Sequence, residues 1–214
     1  MAAVITPTQN ILIEQRVFLR GVSWEIYEGL MNAHEDSGAP RFTYDSGQLE
    51  IYMPSQKHEK TAEFLADIVK AVADESGLEV LSLGSTTFKK EEAKRGVEPD
   101  GCFYLQSYDA VFGQDKIDLA RFPPDLAVEI DVTSPSLDRF PIYADFRVPE
   151  IWRYVKDTVE IYVLRGGQYV AARQSAALPI VTADALTRFL AASQTEKRSV
   201  WLKNIRAWLR AANS

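Results

Sequence analysis

The pattern of apolar and polar positions along the chain predicts four long helices. Ser23 is suited to begin the first helix, because apolar residues then recur every three to four positions over about residues 24–33. The same spacing, followed by a glycine suited to end a helix, predicts a longer helix over about residues 57–76. Two more helices are predicted near the carboxyl terminus, at about 183–192 and 197–211.

Alternating patterns predict strands between these helices. Residues 41–54 alternate on both sides of an Asp-Ser-Gly turn, which predicts a β-hairpin. Residues 78–88 predict one or two strands, followed by a charged hairpin tip. Further on, strands are predicted at 150–155 and 159–164, and a Gly-Gly turn then predicts a return strand over 168–173.

Two short apolar runs carry acidic residues where a buried strand rarely tolerates them. Asp100 stands just before the run 102–105, and Glu129 lies inside the run 126–132 with Asp131 two residues on. Ionised carboxylates are seldom buried unless they are paired or bind a metal. Two of them brought together repel one another unless a cation lies between them. The pattern therefore predicts a cation close to these strands.

The order of the elements predicts an α/β or α+β fold, with a mixed central β-sheet flanked by helices. Asp100 and Glu129 converge if their strands are neighbours. Their oxygen atoms suit Mg²⁺ or Mn²⁺, and the backbone carbonyl of Ile130 would add another oxygen. Such an ion polarises a phosphoryl oxygen and activates a water molecule. The residues alone leave two alternatives open: Asp100 as a strand-end acid, and Glu129 on a partly solvated sheet face.

Composition narrows the class of protein. The 214 residues are 46% hydrophobic, which suits one domain with a sizeable core. We divide the chain into a lead-in (1–21), the main domain (22–195) and a terminal amphipathic helix packed on it (196–214). No apolar run reaches the length of a bilayer span, and the start lacks a signal peptide, so no membrane partner is expected. The single cysteine, Cys102, excludes an intramolecular disulfide and a Cys-based zinc site, and we expect a cytoplasmic protein.

The charge balance argues against a general attraction to nucleic acid. The net charge is −6 and the isoelectric point is about 5.1, so binding to DNA would need a local basic face. The last helix is the most basic segment, and three interpretations of it stay open. It docks on the domain with its basic side chains in water, it presents a surface to phosphate or a partner, or its exposed aromatic residues form a homodimer.

Several short motifs stand out together in the chain. They are Glu98-Pro99-Asp100, Pro124-Asp125-Leu126-Ala127-Val128-Glu129-Ile130, Ser134-Pro135-Ser136, Tyr143-Ala144, Val148-Pro149-Glu150-Ile151-Trp152, and the hairpin end Leu49-Glu50-Ile51-Tyr52-Met53-Pro54-Ser55 with His58. In combination they resemble the Uma-two-type family of restriction endonucleases, which belongs to the PD-(D/E)-x-K nuclease superfamily. The similarity covers roughly residues 20–190. It implies a restriction-endonuclease-like fold and a Mg²⁺-dependent endonuclease acting on DNA.

The resemblance implies that Asp100 and Glu129 are the metal-binding acids of a catalytic site. The superfamily lysine is expected two residues after that Glu, where this chain has Asp131. In this family the lysine lies in the following helix, four residues before the tyrosine of the Tyr-Ala pair, and here that position is Arg139. Arginine keeps the positive charge and binds phosphate, but it stays protonated and cannot act as a base.

The hairpin and the long helix supply further candidates for the same site. Glu50 and His58 are expected to complete it, together with Glu59. Two alternatives stay open beside this assignment. Arg139 pairs with Asp138, Asp131 or Asp145 in a purely structural role. At the level of function, the chain is a non-catalytic member that binds nucleic acid or a protein with the same fold.

Overall fold

The computed structural model describes residues 15–34, 38–131 and 137–212. Within them the chain folds as an α+β protein with two sheets and helices packed around them. The helices are α1 (Trp24–Ala33), α2 (Gln56–Ser76), α3 (Tyr108–Val111), α4 (Phe140–Asp145), α5 (Ala183–Ser193) and α6 (Arg198–Ala212). The strands are β1 (Gln15–Arg20), β2 (Arg41–Asp45), β3 (Gln48–Met53), β4 (Leu81–Ser82), β5 (Phe88–Lys90), β6 (Arg95–Val97), β7 (Gly101–Tyr104), β8 (Leu126–Asp131), β9 (Glu150–Val155), β10 (Thr158–Arg165) and β11 (Gln168–Ala172).

The strands divide into a five-stranded and a six-stranded sheet. The five-stranded sheet has the order β1-β3-β2-β6-β5 and is antiparallel. The six-stranded sheet has the order β11-β10-β9-β8-β7-β4, and only its β8–β9 pair is parallel. The prediction of a mixed sheet flanked by helices is confirmed. The predicted hairpin, however, belongs to a second sheet and not to a single central one.

Local signals set the ends of the main helices where the sequence predicts them. The Ser23 hydroxyl accepts a hydrogen bond from Ile26 N at the start of α1. Gly77 ends α2 with φ 68°, a left-handed conformation that glycine adopts without strain. The apolar residues 11–13 of the lead-in predict an edge strand, and this segment lies outside the described residues. The described part of the lead-in contributes β1, which pairs with β3.

Alternation along β8 separates the two faces of the six-stranded sheet. Leu126, Val128 and Ile130 face the larger core, which α2, α5 and α6 cover. Ala127 faces the opposite way, into a smaller core shared with α4 and the five-stranded sheet. Glu129 and Asp131 continue the Ala127 face by the same period of two. The acidic side chains of β8 therefore lie on the side where the two sheets meet.

The last helix docks on α2 through both its apolar and its basic residues. Trp201, Ile205 and Leu209 are buried in the larger core, so the expectation of exposed aromatic residues is wrong for Trp201. Three of its arginines pair with acids of α2: Arg198 with Asp67 at 2.6 and 2.7 Å, Arg206 with Asp74 and Glu75, and Arg210 with Glu75. These arginines are bound to the domain and do not simply extend into water. None of the helices in the described part could cross a membrane.

Candidate active site

Strand register brings the two predicted acids face to face. β7 and β8 are antiparallel, with Gly101 opposite Val128, and the Asp100 amide donates to the Val128 carbonyl at 3.0 Å. One step further in this register places Asp100 across from Glu129. The side chains of Asp100 and Glu129 are only 1% and 5% exposed, so the alternative of Glu129 on a solvated face is wrong. Because like charges facing each other destabilise a sheet, the pair requires compensating cations.

Asp100 is held by two hydrogen-bond donors and by the imidazole of His58, which come from three different elements. An Nη of Arg41, the first residue of β2, contacts Oδ1. On Oδ2, the Ile130 amide donates at 2.7 Å and His58 Nε2 lies 3.1 Å away. Burial alone would raise the pKa of Asp100, but His58 and Arg41 together lower it. Asp100 is therefore a charged acid at neutral pH.

His58 lies in the first turn of α2, and both of its ring nitrogens are buried. Nδ1 is 3.6 Å from Glu59 Oε1, and within the described residues neither nitrogen has a well-aligned hydrogen-bond acceptor. Burial would lower the pKa of His58, but the carboxylates of Asp100 and Glu59 raise it to about 9. The imidazole thus contributes a positive charge beside Asp100.

Glu129 is held by two residues at the start and middle of α4. An Nη of Arg139 contacts Oε2, and the Tyr143 hydroxyl donates to Oε1. Burial raises the pKa of Glu129; Arg139 opposes this shift, and Asp100 adds to it. Arg139 precedes α4 as its N-cap residue, and Tyr143 lies one turn later on the same face. The α4 segment therefore delivers two donors to one carboxylate.

Glu50 brings the five-stranded sheet into the site. It is fully buried in β3, contacts an Nη of Arg16 from β1, and accepts a hydrogen bond from the Leu137 amide at 2.8 Å. Arg139 Nη2 lies 3.6 Å from Glu50 Oε1, so one guanidinium bridges Glu50 and Glu129. The structure thus brings together Glu50, His58, Asp100, Glu129 and Arg139, the five side chains that the sequence singles out.

The three acids considered as structural partners of Arg139, namely Asp131, Asp138 and Asp145, make their contacts with other groups. Asp131, at the position expected for lysine, accepts from Arg153 Nε at 2.8 Å and lies 3.6 Å from Arg16 Nη2. Asp145 pairs with Arg95 at 2.6 Å. Asp138 accepts from the Phe140 amide at 3.1 Å. Arg139 instead pairs with Glu129 and Glu50, so the alternative partners are wrong.

Arg16, Arg41 and Tyr143 are the contacts that sequence reasoning missed. Arginine at the start of an amphipathic strand usually indicates an exposed edge, and nothing local shows that the side chain crosses to a second sheet. Tyr143 could have been found, because it belongs to the Tyr-Ala motif and lies four residues after Arg139.

The donor set has the right chemistry for Mg²⁺, but its present arrangement is not a ready metal cradle. Both oxygens of Asp100 and of Glu129 are engaged by protein donors. In the described ranges no group of three or more His, Cys, Asp or Glu side chains could hold a metal ion. The buried atoms that lack a partner there include Nε of Arg41 and Nε of Arg139, which are donors. As arranged, the site fits an anion better than a cation.

The site adjoins a cavity of about 350 Å³. Its wall includes Glu129 and Arg139 together with Asp131 and Arg153. A ligand in this cavity would meet both acidic and guanidinium groups.

A family model described as "Uma2: Putative restriction endonuclease" matches residues 24–192. This range includes every candidate residue above except Arg16. No curated protein matches the chain.

Proposed function

Because the chain belongs to the Uma2 family, we propose that it is a metal-dependent endonuclease that hydrolyses phosphodiester bonds in DNA. The observation that carries the proposal is the pair of buried acids, Asp100 and Glu129, facing each other across β7 and β8. Buried like charges are costly for stability. Their juxtaposition beside two arginines and a cavity is the kind of arrangement that a catalytic site needs.

Arg41 and Arg139 are the residues that would bind the scissile phosphate. A guanidinium group offers the same fork to a phosphate as to a carboxylate, so these side chains can exchange one anionic oxygen for another. Each also has a buried Nε with no partner in the described part of the chain, which a phosphate oxygen would satisfy. Arg139 would stabilise the charge that develops on the phosphate, and Glu50 would keep its guanidinium in place.

Mg²⁺ or Mn²⁺ would be held by the carboxylates of Asp100 and Glu129 with the carbonyl of Ile130. When bound, the ion would supply polarisation of a phosphoryl oxygen. Because guanidinium groups now engage both carboxylates, we expect weak binding of the metal alone and tighter binding when DNA is present. The cytoplasm is the compartment where we expect this activity.

Plasmid nicking with Mg²⁺ or Mn²⁺ tests the proposal. Asp100→Asn and Glu129→Gln should each abolish cleavage, whereas Asp184→Asn, at an exposed position of α5, should cleave like the wild type. Calorimetric titration of the metal in the presence of a DNA duplex gives a second readout. Equal metal binding by wild type and by the Asp100→Ala, Glu129→Ala double variant would overturn the assignment of the metal ligands.

A second candidate function is binding without cleavage. Two observations favour binding without cleavage. Arginine stands at the position of the family lysine, and protein donors engage both oxygens of Asp100 and of Glu129. Arg139→Lys separates the two candidates. If the wild type is inert and the lysine variant cleaves DNA with metal, the arginine accounts for the lost activity. If neither protein binds or cuts duplex DNA, single strands or RNA, a protein partner becomes the better candidate.

A further inference from the structure

Arg41 lies between the proposed catalytic site and a second, larger depression. It lines a cavity of about 230 Å³ that includes Asp100, and also a cavity of about 580 Å³ on the side of α1. Ser85 is shared by the same two cavities. We call the two together the Arg41 groove. Its smaller end reaches Asp100, and its larger end leads away from the site.

The larger end of the groove is lined by groups that suit phosphate. Lys89 and Lys116 are exposed on its wall, and the Ser85 and Thr86 side chains line it as well. Lys89 pairs with Glu28 at 3.1 Å, and the two side chains are 45% and 36% exposed. Such a pair is worth little and is readily exchanged for a phosphate contact.

The carboxyl group at this end, Glu98, is already satisfied by the protein. It accepts from the Phe42 amide at 2.7 Å and from the Thr87 hydroxyl at 3.1 Å. The other charged side chains that line this end are the cations of Arg41, Lys89 and Lys116. The larger end of the groove is therefore locally basic in a chain whose net charge is −6.

Arg41 itself has hydrogen-bonding capacity to spare. Its two terminal nitrogens contact Asp100 and Glu59, while its buried Nε has no partner among the described residues. A buried donor left unpaired destabilises the folded protein unless a ligand or water fills the place. This atom belongs to the residue that joins the two cavities.

We propose that the Arg41 groove binds the sugar–phosphate backbone of duplex DNA and leads it to Asp100, with Lys89 and Lys116 contacting phosphates outside the site. The proposal rests on the function proposed above and adds the path of the substrate. It also places DNA binding at the groove and not at α6, because the arginines of α6 already pair with acids of α2.

Two lysine double variants test the groove against α6. The groove variant carries Lys89→Ala and Lys116→Ala, which remove two positive charges from the groove. The α6 variant carries Lys197→Ala, just before α6, and Lys203→Ala, within α6. It loses the same charge from two exposed positions. Binding of a short fluorescent DNA duplex is followed by anisotropy in EDTA over a series of salt concentrations. Circular dichroism melting verifies that all proteins are equally folded.

The groove variant should bind roughly three- to tenfold more weakly, as expected for two exposed ion contacts. Its slope of log K against log salt should be shallower by about 1.8, since each lost phosphate contact removes about 0.9. The α6 variant should match the wild type.

If the groove variant matches the wild type in affinity and slope while the wild type still binds and cleaves DNA, the groove is overturned and the proposed function stands. If the α6 variant alone loses affinity, the binding surface is α6 and the groove is again overturned. If the wild type shows no binding to the duplex even at low salt, both the groove and the proposed DNA substrate fail.

Discussion

Glu150 and the Asp100–Glu129 pair are both buried acidic centres, yet they are built in opposite ways. Glu150 is fully buried at the start of β9, and the donors that it accepts from among the described residues are all neutral. These are Trp152 Nε1 at 2.6 Å, Ser175 Oγ at 2.6 Å, and the amides of Ala176 and Ala177 at 2.6 and 3.0 Å. Asp100 and Glu129 are instead compensated mainly by positively charged side chains.

The difference separates a structural centre from one that can do chemistry. The donors around Glu150 are used up within the chain, and they fix the loop after β11 onto the sheet. Around Asp100 and Glu129 the compensating arginines keep buried Nε atoms without partners in the described part, and cavities adjoin them. A closed network of neutral donors has nothing to offer a ligand, whereas guanidinium groups paired with carboxylates can exchange one anion for another.

The largest effect on stability is expected at Glu150. Glu150→Ala should lower the free energy of unfolding by about 3–5 kcal/mol, because it leaves several buried donors without an acceptor. Glu160→Ala is the matched control, since Glu160 accepts one hydrogen bond from Tyr162 and is only partly buried. Urea denaturation measures both. A loss below about 1 kcal/mol at Glu150 would contradict its structural role.

The next largest effect is expected on catalysis at Glu129. Glu129→Gln should reduce cleavage at least ~100-fold, about 2.7 kcal/mol of transition-state stabilisation. Its free energy of unfolding should change by less than about 2 kcal/mol, because losing a charge opposite Asp100 offsets the weakened Arg139 contact. Cleavage rates and urea denaturation on the same preparation check both parts. Normal cleavage by Glu129→Gln would contradict a catalytic role for Glu129 and with it the proposed difference from Glu150.

A smaller effect is expected at Tyr143, which positions Glu129. Tyr143→Phe keeps the ring packed beside Phe88 and removes only the hydroxyl donor. We expect a loss of about 1.5 kcal/mol in unfolding free energy, the usual value for a hydrogen bond to a charged group. Thermal or urea denaturation measures it, with Tyr162→Phe as the control on a half-buried hydroxyl. Equal losses in both variants would argue against a special contact at Glu129.

The smallest effect concerns Cys102, which lies two residues after Asp100 on the same face of β7. Burial raises the pKa of its thiol to about 12, so the thiolate is scarce at any pH below that value. The native protein should react with a thiol reagent only as fast as it unfolds. Asp100→Asn should leave this protection unchanged, because the site can lose its acid without opening the sheet. Rapid labelling of the folded variant would show that Asp100 holds the sheet together as Glu150 holds its loop.

The sequence by itself determined the local elements and the identity of the acidic residues. The helix caps at Ser23 and Gly77 and the hairpin turns act within a few residues, so their patterns predict them directly. The acids of β8 also stood out, because a carboxylate inside an apolar run is chemically anomalous wherever that strand lies. The motifs that resemble the family also identified Arg139 as a candidate site residue.

Only the tertiary structure decided what surrounds those acids. Contacts between segments far apart in the chain divide the strands into two sheets and pair β8 in parallel with β9. Such contacts also place Arg16 beside Glu50 and Arg41 beside Asp100. Glu150 leads to the same conclusion, since three of its four donors come from a loop about 25 residues later. Strand pairing is set by packing of whole faces, and no local pattern records which distant side chain will face a given carboxylate.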